Sequence, residues 1–291
     1  EPSAVFGDWT ANIIEDATID DLDPDAIRMA REKYTERHEI RAKEIESWDD
    51  ATFLNKAKIT RAGKITNAAI ILLGREESEH FLSPAVCVIR WKLIAKEDKN
   101  KDFHNFHVPM IKSVEEITTG YIRNNNYVYT VSGNIFPENM MRYDVFTLRE
   151  PICNAIGHQD YGMGARIELL EYEDEKLVIQ NYGQFIPNSV EDVAEKDCPD
   201  SRYRNPFLME AMCNIGMAET EGGGIRKLFV QQKKRFFPMP IYDLSGQKVR
   251  CEIQGKGLDE NFAKILVNNP DLSLPEIIML DKVQKREYSS L

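Results

Sequence analysis

Leu148-Arg-Glu-Pro-Ile-Cys-Asn-Ala-Ile-Gly-His-Gln-Asp-Tyr161 is the stretch on which the reading of this chain turns. On a helix, Glu150, Asn154 and His158 fall four residues apart and share one face. Ile152, Ala155 and Ile156 point elsewhere, toward a core. A carboxylate and an amide one turn apart are useful beside a metal-bound phosphate. The amide places a hard oxygen on Mg²⁺, and the carboxylate orients or deprotonates a water.

Two further segments follow. Val178-Ile-Gln-Asn181-Tyr-Gly183 reads as a strand ending in a polar side chain, then a glycine that lets backbone approach a ligand. In Glu219-Thr-Glu221-Gly222-Gly223-Gly224-Ile225-Arg226-Lys227, three glycines open a helix that runs to about Arg235. Free N–H groups at a helix N-terminus attract an anion, and glycines let a phosphate come close.

Each residue also has a plainer reading. Thr147-Leu-Arg-Glu150 has the form of a capping box, with Pro151 in the first turn, where proline is tolerated. Asn154 stands between apolar neighbours, where a buried amide needs a partner. His158 fits a satisfied core histidine, Asp160 a turn, the glycine triplet a loop, and Asn205 the cap of a helix beginning at Pro206. Arg202 and Arg204 either reach a phosphate from a lid or lie on the surface. Lys233-Lys-Arg235 sits at a helix end, where the dipole favours cations, and is not read as a DNA site.

The rest of the chain sets the frame. Its 291 residues suit one large domain or two ordinary ones. The apolar fraction of 42% and charged fraction of 29% exclude a fully disordered chain. The densest apolar run, Ala68 to Leu73, is far short of the roughly 18 residues a membrane span needs. The net charge of −11 is concentrated in the first 25 residues, which hold eight acids and no Lys or Arg. That start lacks the basic and apolar parts of a secretory signal. The charge also removes any bulk electrostatic case for nucleic-acid binding. Five scattered cysteines without a Cys-x-x-Cys read as buried thiols in a reducing cytosol.

Residues 1–22 read as an acidic arm with apolar anchors Phe6, Trp9 and Ile13. Asp23-Pro24 is a strong helix start, and that helix runs to about Glu46 with Ile27, Ala30, Tyr34 and Ile45 on one stripe. Residues 50–75 read as helical. Val86–Ile94 and His104–Ile111 read as strands, Ser113-Val-Glu-Glu116 as a capping box opening a helix to about Arg123, and Tyr127–Val131 as a strand. Arg166–Tyr172 and Leu177–Asn181 form a hairpin around Glu173-Asp-Glu175. A helix starts after Asn205-Pro206 and ends at Gly216, and two short helices flank Asn268-Asn-Pro270. Helices mixed with mostly antiparallel strands, without βαβ alternation, predict an α+β fold.

The three boxes together resemble the GHKL ATPase superfamily. Glu150-x-x-x-Asn154 resembles its first box, Asn181-Tyr-Gly183 its adenine box, and Gly222-Gly-Gly224 its glycine box. The order Glu150–Tyr161, Asn181–Gly183, Arg204-Asn-Pro206, Glu221–Ile225 is similar to a branch of bacterial regulators labelled RecG-related helicases or transcriptional regulators. Ala17–Pro24 resembles the linker that follows a Schlafen-type AlbA domain in that branch. The resemblance implies a two-layer α/β sandwich over residues 51–257, preceded by an arm and helix at 1–50. Residues 258–291 then begin a winged-helix segment. It implies a cytoplasmic module binding ATP and Mg²⁺, at most a weak ATPase, with Glu150 catalytic and Asn154 on the metal. Asn154, His158, Asn181, Gly183, Gly222, Gly223 and Gly224 are the implied nucleotide contacts, and DNA is bound only by flanking domains. The sequence departs from the active pattern at Asn181, where the family has Asp, and at Phe185, where it has a second glycine. The alternative is a degenerate fold used for homodimerisation or for binding another ligand or protein. A helicase motor is disfavoured, because no Gly-x-x-x-x-Gly-Lys-[Ser/Thr] occurs.

Overall fold

Asp23 accepts from the backbone N–H groups of Asp25 and Ala26, and Pro24 takes the first helical position. This opens α1 (Pro24–Arg37) where the sequence requires it. The computed structural model describes residues 7–95, 99–123, 126–127, 140–186, 190, 203–218, 223–256 and 260–284. The expected long helix to Glu46 is broken after Arg37: a 3-10 turn at Glu39–Arg41 separates α1 from α2 (Ala42–Glu46). Its stripe is nevertheless buried as expected, with Ile27, Ala30, Tyr34 and Ile45 in the core.

Helices α3 (Asp50–Lys56) and α4 (Asn67–Leu73) follow. All seven residues of α4 are buried, which accounts for its unbroken apolar run. Helix α5 (Met110–Glu116) begins three residues before Ser113 and continues as a π-turn over Ile117–Tyr121. The capping box expected at Ser113 is absent: its hydroxyl donates to the carbonyl of His107 instead. Helix α6 is Val145–His158, α7 Pro206–Asn214, α8 Gly224–Lys234, α9 Glu260–Asn268 and α10 Leu274–Gln284.

Six strands form one sheet: β1 (Ile89–Ile94), β2 (Asn100–Phe106), β5 (Ile167–Tyr172), β6 (Lys176–Tyr182), β7 (Ile241–Asp243) and β8 (Lys248–Gln254). Their order is β2-β1-β5-β6-β8-β7, and every pairing is antiparallel except β1 with β5. A two-stranded piece pairs β3 (Asn126–Tyr127) with β4 (Met140–Met141). The strand expected over Tyr127–Val131 otherwise lies outside the described residues. The expected strand at His104–Ile111 lies earlier in the chain, as β2, because α5 has taken Met110 and Ile111.

Alternation along the strands sorts the two faces. Ile89, Trp91, Leu93, Ile167, Leu169, Leu177, Ile179, Cys251 and Ile253 share one buried cluster with residues of α1 and α3 to α8. The intervening residues carry a ladder of charges, with Lys92–Glu168 at 3.1 Å and Lys176–Glu252 at 3.2 Å. The architecture is therefore an α+β sandwich. A second cluster joins Phe229 of α8 and Met239 to Leu266 of α9 and Ile277 and Ile278 of α10.

The arm belongs to the main core. Trp9 packs against Tyr161 with ring centroids 5.4 Å apart, and its carbonyl accepts from Asn67. Asp8 accepts from Phe207 N at 2.6 Å and Thr10 from Leu208 N at 3.3 Å, so the arm caps α7 from two hundred residues away in sequence. Asn205, expected to cap that helix, uses its side chain elsewhere. Its amide donates to the carbonyls of Gly157 and Gln159 and ties α7 to the end of α6. Cys87, Cys153 and Cys251 are buried free thiols and Cys213 is half-buried.

Candidate functional site

Helix α6 carries the candidate residues. Its N-cap is Asp144, whose carboxylate accepts from Thr147 N at 2.9 Å. Glu150 therefore lies in the second turn, and the capping-box reading of Thr147 and Glu150 is overturned. Asp144 is the better cap because its short carboxylate reaches two or three residues on. Pro151 falls inside the helix, not in its first turn, and leaves the Thr147 carbonyl without its helical donor.

Glu150 is only 4% exposed, and a buried carboxylate needs partners. Asn154 donates to it from Nδ2 at 3.0 Å. That contact leaves the amide's hard oxygen, Oδ1, uncommitted. On the other side stands Gly224, the first residue of α8. A Cβ on Gly224 would run into Glu150 Oε1, so any side chain there must displace the buried carboxylate. The glycine answers to the carboxylate, since its backbone is ordinary helix. The N-cap of α8, Gly223, has no side chain to cap with, and the Glu150 carboxylate rests against the helix's positive end. Gly223 has open space where a Cβ would be and is not sterically required. Gly222 and Arg202 lie outside the described residues.

A second group surrounds the end of α6. Asn181, 5% exposed, is the penultimate residue of β6 and donates to the carbonyl of Tyr182 at 3.3 Å. Gly183 follows with φ +117°, a conformation open to glycine and strained for any side chain. Its N–H donates to Gln247 O. Strand end and helix end are laced together: Tyr182 N donates to Gln159 Oε1 and Asp160 N to Tyr182 O, both at 2.8 Å. His158 ends α6 with its ring 5.6 Å from that of Tyr203. Burial, and then the positive charge of Arg204, push its pKa down to about 4, so the imidazole is neutral at pH 7.

The structure thus brings Glu150, Asn154 and Gly224 together. It places His158 one turn beyond Asn154, at the end of α6, where the end of β6 with Asn181 and Gly183 is hydrogen-bonded to it. The sequence offered no signal for Tyr242, and it offered Arg204 only as a phosphate contact or a surface residue. Tyr242 of β7 stacks on Phe229 at 6.4 Å, and its hydroxyl titrates well above its ordinary range through burial. Arg204 pairs with Asp160 at 3.2 Å beside Gly183. A cavity of about 260 Å³ opens between Phe229, Met239, Tyr242, Ile278 and Asp281, and none of the residues expected from the sequence lines it. Among the described residues no group of three or more His, Cys, Asp or Glu is arranged to hold a metal. An ion here would depend on Asn154 together with ligand oxygens. No helix among those residues is long and apolar enough to cross a membrane.

Comparison with known proteins adds a coarse assignment. Residues 164–259 match a family described as "Putative ATP-dependent DNA helicase recG C-terminal", HATPase_c_4. This region is an ATPase-like domain. It contains Asn181, Gly183 and the glycine triplet and stops short of Glu150 and Asn154. Residues 4–89 match a domain of unknown function, DUF8451. No curated protein matches at a significant level. The fold is similar to the crystal structure of the DIP2311 protein from Corynebacterium diphtheriae, with a TM-score of 0.68 and 16% identity. That similarity covers 98% of this chain and 55% of that one, so this chain spans little more than half the length of its neighbour.

Proposed function

We propose that the chain is a GHKL-type nucleotide-binding module that takes ATP with Mg²⁺, within a bacterial transcriptional regulator. The observation that carries the reading is the meeting of Glu150, Asn154 and Gly224 at the N-terminus of α8, in a chain whose 164–259 region is ATPase-like. The donor set fits the ion. Mg²⁺ takes one or two protein oxygens and fills its shell with phosphate oxygens and water, and Asn154 Oδ1 is such an oxygen. Gly223 and Gly224 at the start of α8, with Gly222 before them in sequence, receive the phosphates. Asn181 reads the base, and Gly183 lets it approach the backbone. His158 contributes a neutral ring at the end of α6. ATP supplies the phosphoanhydride bond. Glu150 orients the attacking water and takes its proton at the carboxylate. DNA contact belongs to flanking domains, which include a winged-helix segment beginning in residues 258–291, and the setting is the cytoplasm.

One observation favours a second reading, a non-catalytic interaction module. Asn181 stands where active enzymes have Asp, and its side chain is turned to the Tyr182 carbonyl. A thermal-shift titration with a non-hydrolysable ATP analogue and Mg²⁺ separates the two. At a hundredfold excess over Kd a real site adds roughly 2.7 kcal/mol of stability. Asn154→Ala should abolish the Mg²⁺-dependent part, and Glu150→Gln should keep binding while losing hydrolysis. No shift with any adenine nucleotide would leave the interaction module standing.

A further inference from the structure

Arg204 precedes α7 and has no task in the reading above, yet its side chain lies against the turn that would take the base. A Cβ on Gly183 would come 2.9 Å from Arg204 Nε and 3.3 Å from both Cζ and Nη2. The guanidinium is held by its other arms: Nη1 donates to Asp160 Oδ2 at 3.2 Å and Nη2 to the carbonyl of Gln184 at 3.3 Å. Its Nε is buried and has no acceptor. A buried donor left empty is costly, so this placement does not serve the arginine's own hydrogen bonding. It serves what the fork joins. Asp160 also holds Tyr182 through its backbone N–H, and the neighbouring Asn205 amide grips Gly157 and Gln159. Residues 204 and 205 thereby clamp the end of β6 onto the end of α6.

We propose that Arg204 is the positioning residue of the base-recognition turn, fixing Asn181–Gln184 in shape and coupling it to the α6 helix that carries Asn154. This rests on the nucleotide reading above. The turn needs such support. Gly183 sits at φ +117°, and Asn181 spans only 3.3 Å to the next carbonyl. A planar fork with separated donors can bridge Asp160 and Gln184 at once, whereas a lysine is a single point charge.

The test is calorimetry on the full chain, comparing wild type with Arg204→Gln and Arg204→Lys. The probes are magnesium AMP-PNP, which has a base, and magnesium tripolyphosphate, which has none. Arg204→Gln should weaken AMP-PNP by about tenfold and leave tripolyphosphate within about twofold, with Arg204→Lys recovering only part of the loss. Unchanged AMP-PNP affinity, or an equal loss for both probes, overturns the proposal. Amide hydrogen exchange provides the second arm. If wild type binds neither probe, the nucleotide reading fails on its own. The positioning role is then decided by Tyr182, Gly183 and Gln184, whose exchange must quicken in Arg204→Gln at unchanged global stability. Unchanged exchange overturns it.

Discussion

Helices α7 and α8 begin with the same problem and solve it differently. Each exposes backbone N–H groups at its start, where a partial positive charge gathers. For α7 the problem is closed permanently. Asp8 and Thr10 reach over from the arm and accept from Phe207 and Leu208. For α8 the N-cap is Gly223, which has no side chain to cap with, and the carboxylate of Glu150 rests against Gly224. One end is a structural joint built from distant chain. The other sets a buried carboxylate against the first turn of the helix.

The contrast makes its boldest prediction at Gly224. Gly224→Ala drives a methyl into the Glu150 carboxylate, which must move aside. Overpacking of this kind costs about 1–3 kcal/mol, and Mg²⁺-dependent nucleotide binding should vanish with it. Gly223→Ala, with open space around it, should be near neutral in both. Equal behaviour of the two variants in urea denaturation and calorimetry would erase the distinction between the helix ends. A smaller effect is expected at the joint. Asp8→Ala should cost about 1 kcal/mol, the usual value of a lost cap, and leave nucleotide affinity alone. If affinity falls too, the arm is part of the site.

A further effect is a pH dependence at His158. Its pKa falls from an ordinary 6.5 to about 4 in the fold. Between those values the unfolded chain binds the proton and the folded chain does not. Stability therefore drops as pH falls from about 6.5 toward 4 and is fully present above that window. His158→Gln should flatten this part of the stability profile, measured as urea midpoints at pH 4.5 and 7. A profile identical to wild type would mean that other groups set the acid response.

Much of the fold was legible. The Asp23-Pro24 start, the β5–β6 hairpin and the helices flanking Asn268–Pro270 follow from local chemistry and stand where expected. Failures came where distant chain outbid local pattern. Ser113 found the carbonyl of His107, Asn205 found the end of α6, and the cap of α7 came from Asp8 and Thr10. No window of sequence shows such partners. At the site, the helical spacing of Glu150 and Asn154 was readable, and their hydrogen bond follows from it. The pressure of Glu150 on Gly224 and of Arg204 on Gly183 was not. Both are close approaches between segments far apart in the chain, and a glycine gives no hint of what lies against it.

The single parallel pairing carries a consequence for how the molecule assembles. The β5–β6 hairpin closes through Glu173–Glu175, and hairpins of this kind form in roughly 1–10 μs. Strand β1 joins it only when Ile89 meets Ile167 across α5 and α6, and such non-local contacts fold late and slowly. The β6–β8 pairing spans a sequence separation just as long, so β1–β5 and β6–β8 are the two joints of the sheet expected to close after its local hairpins.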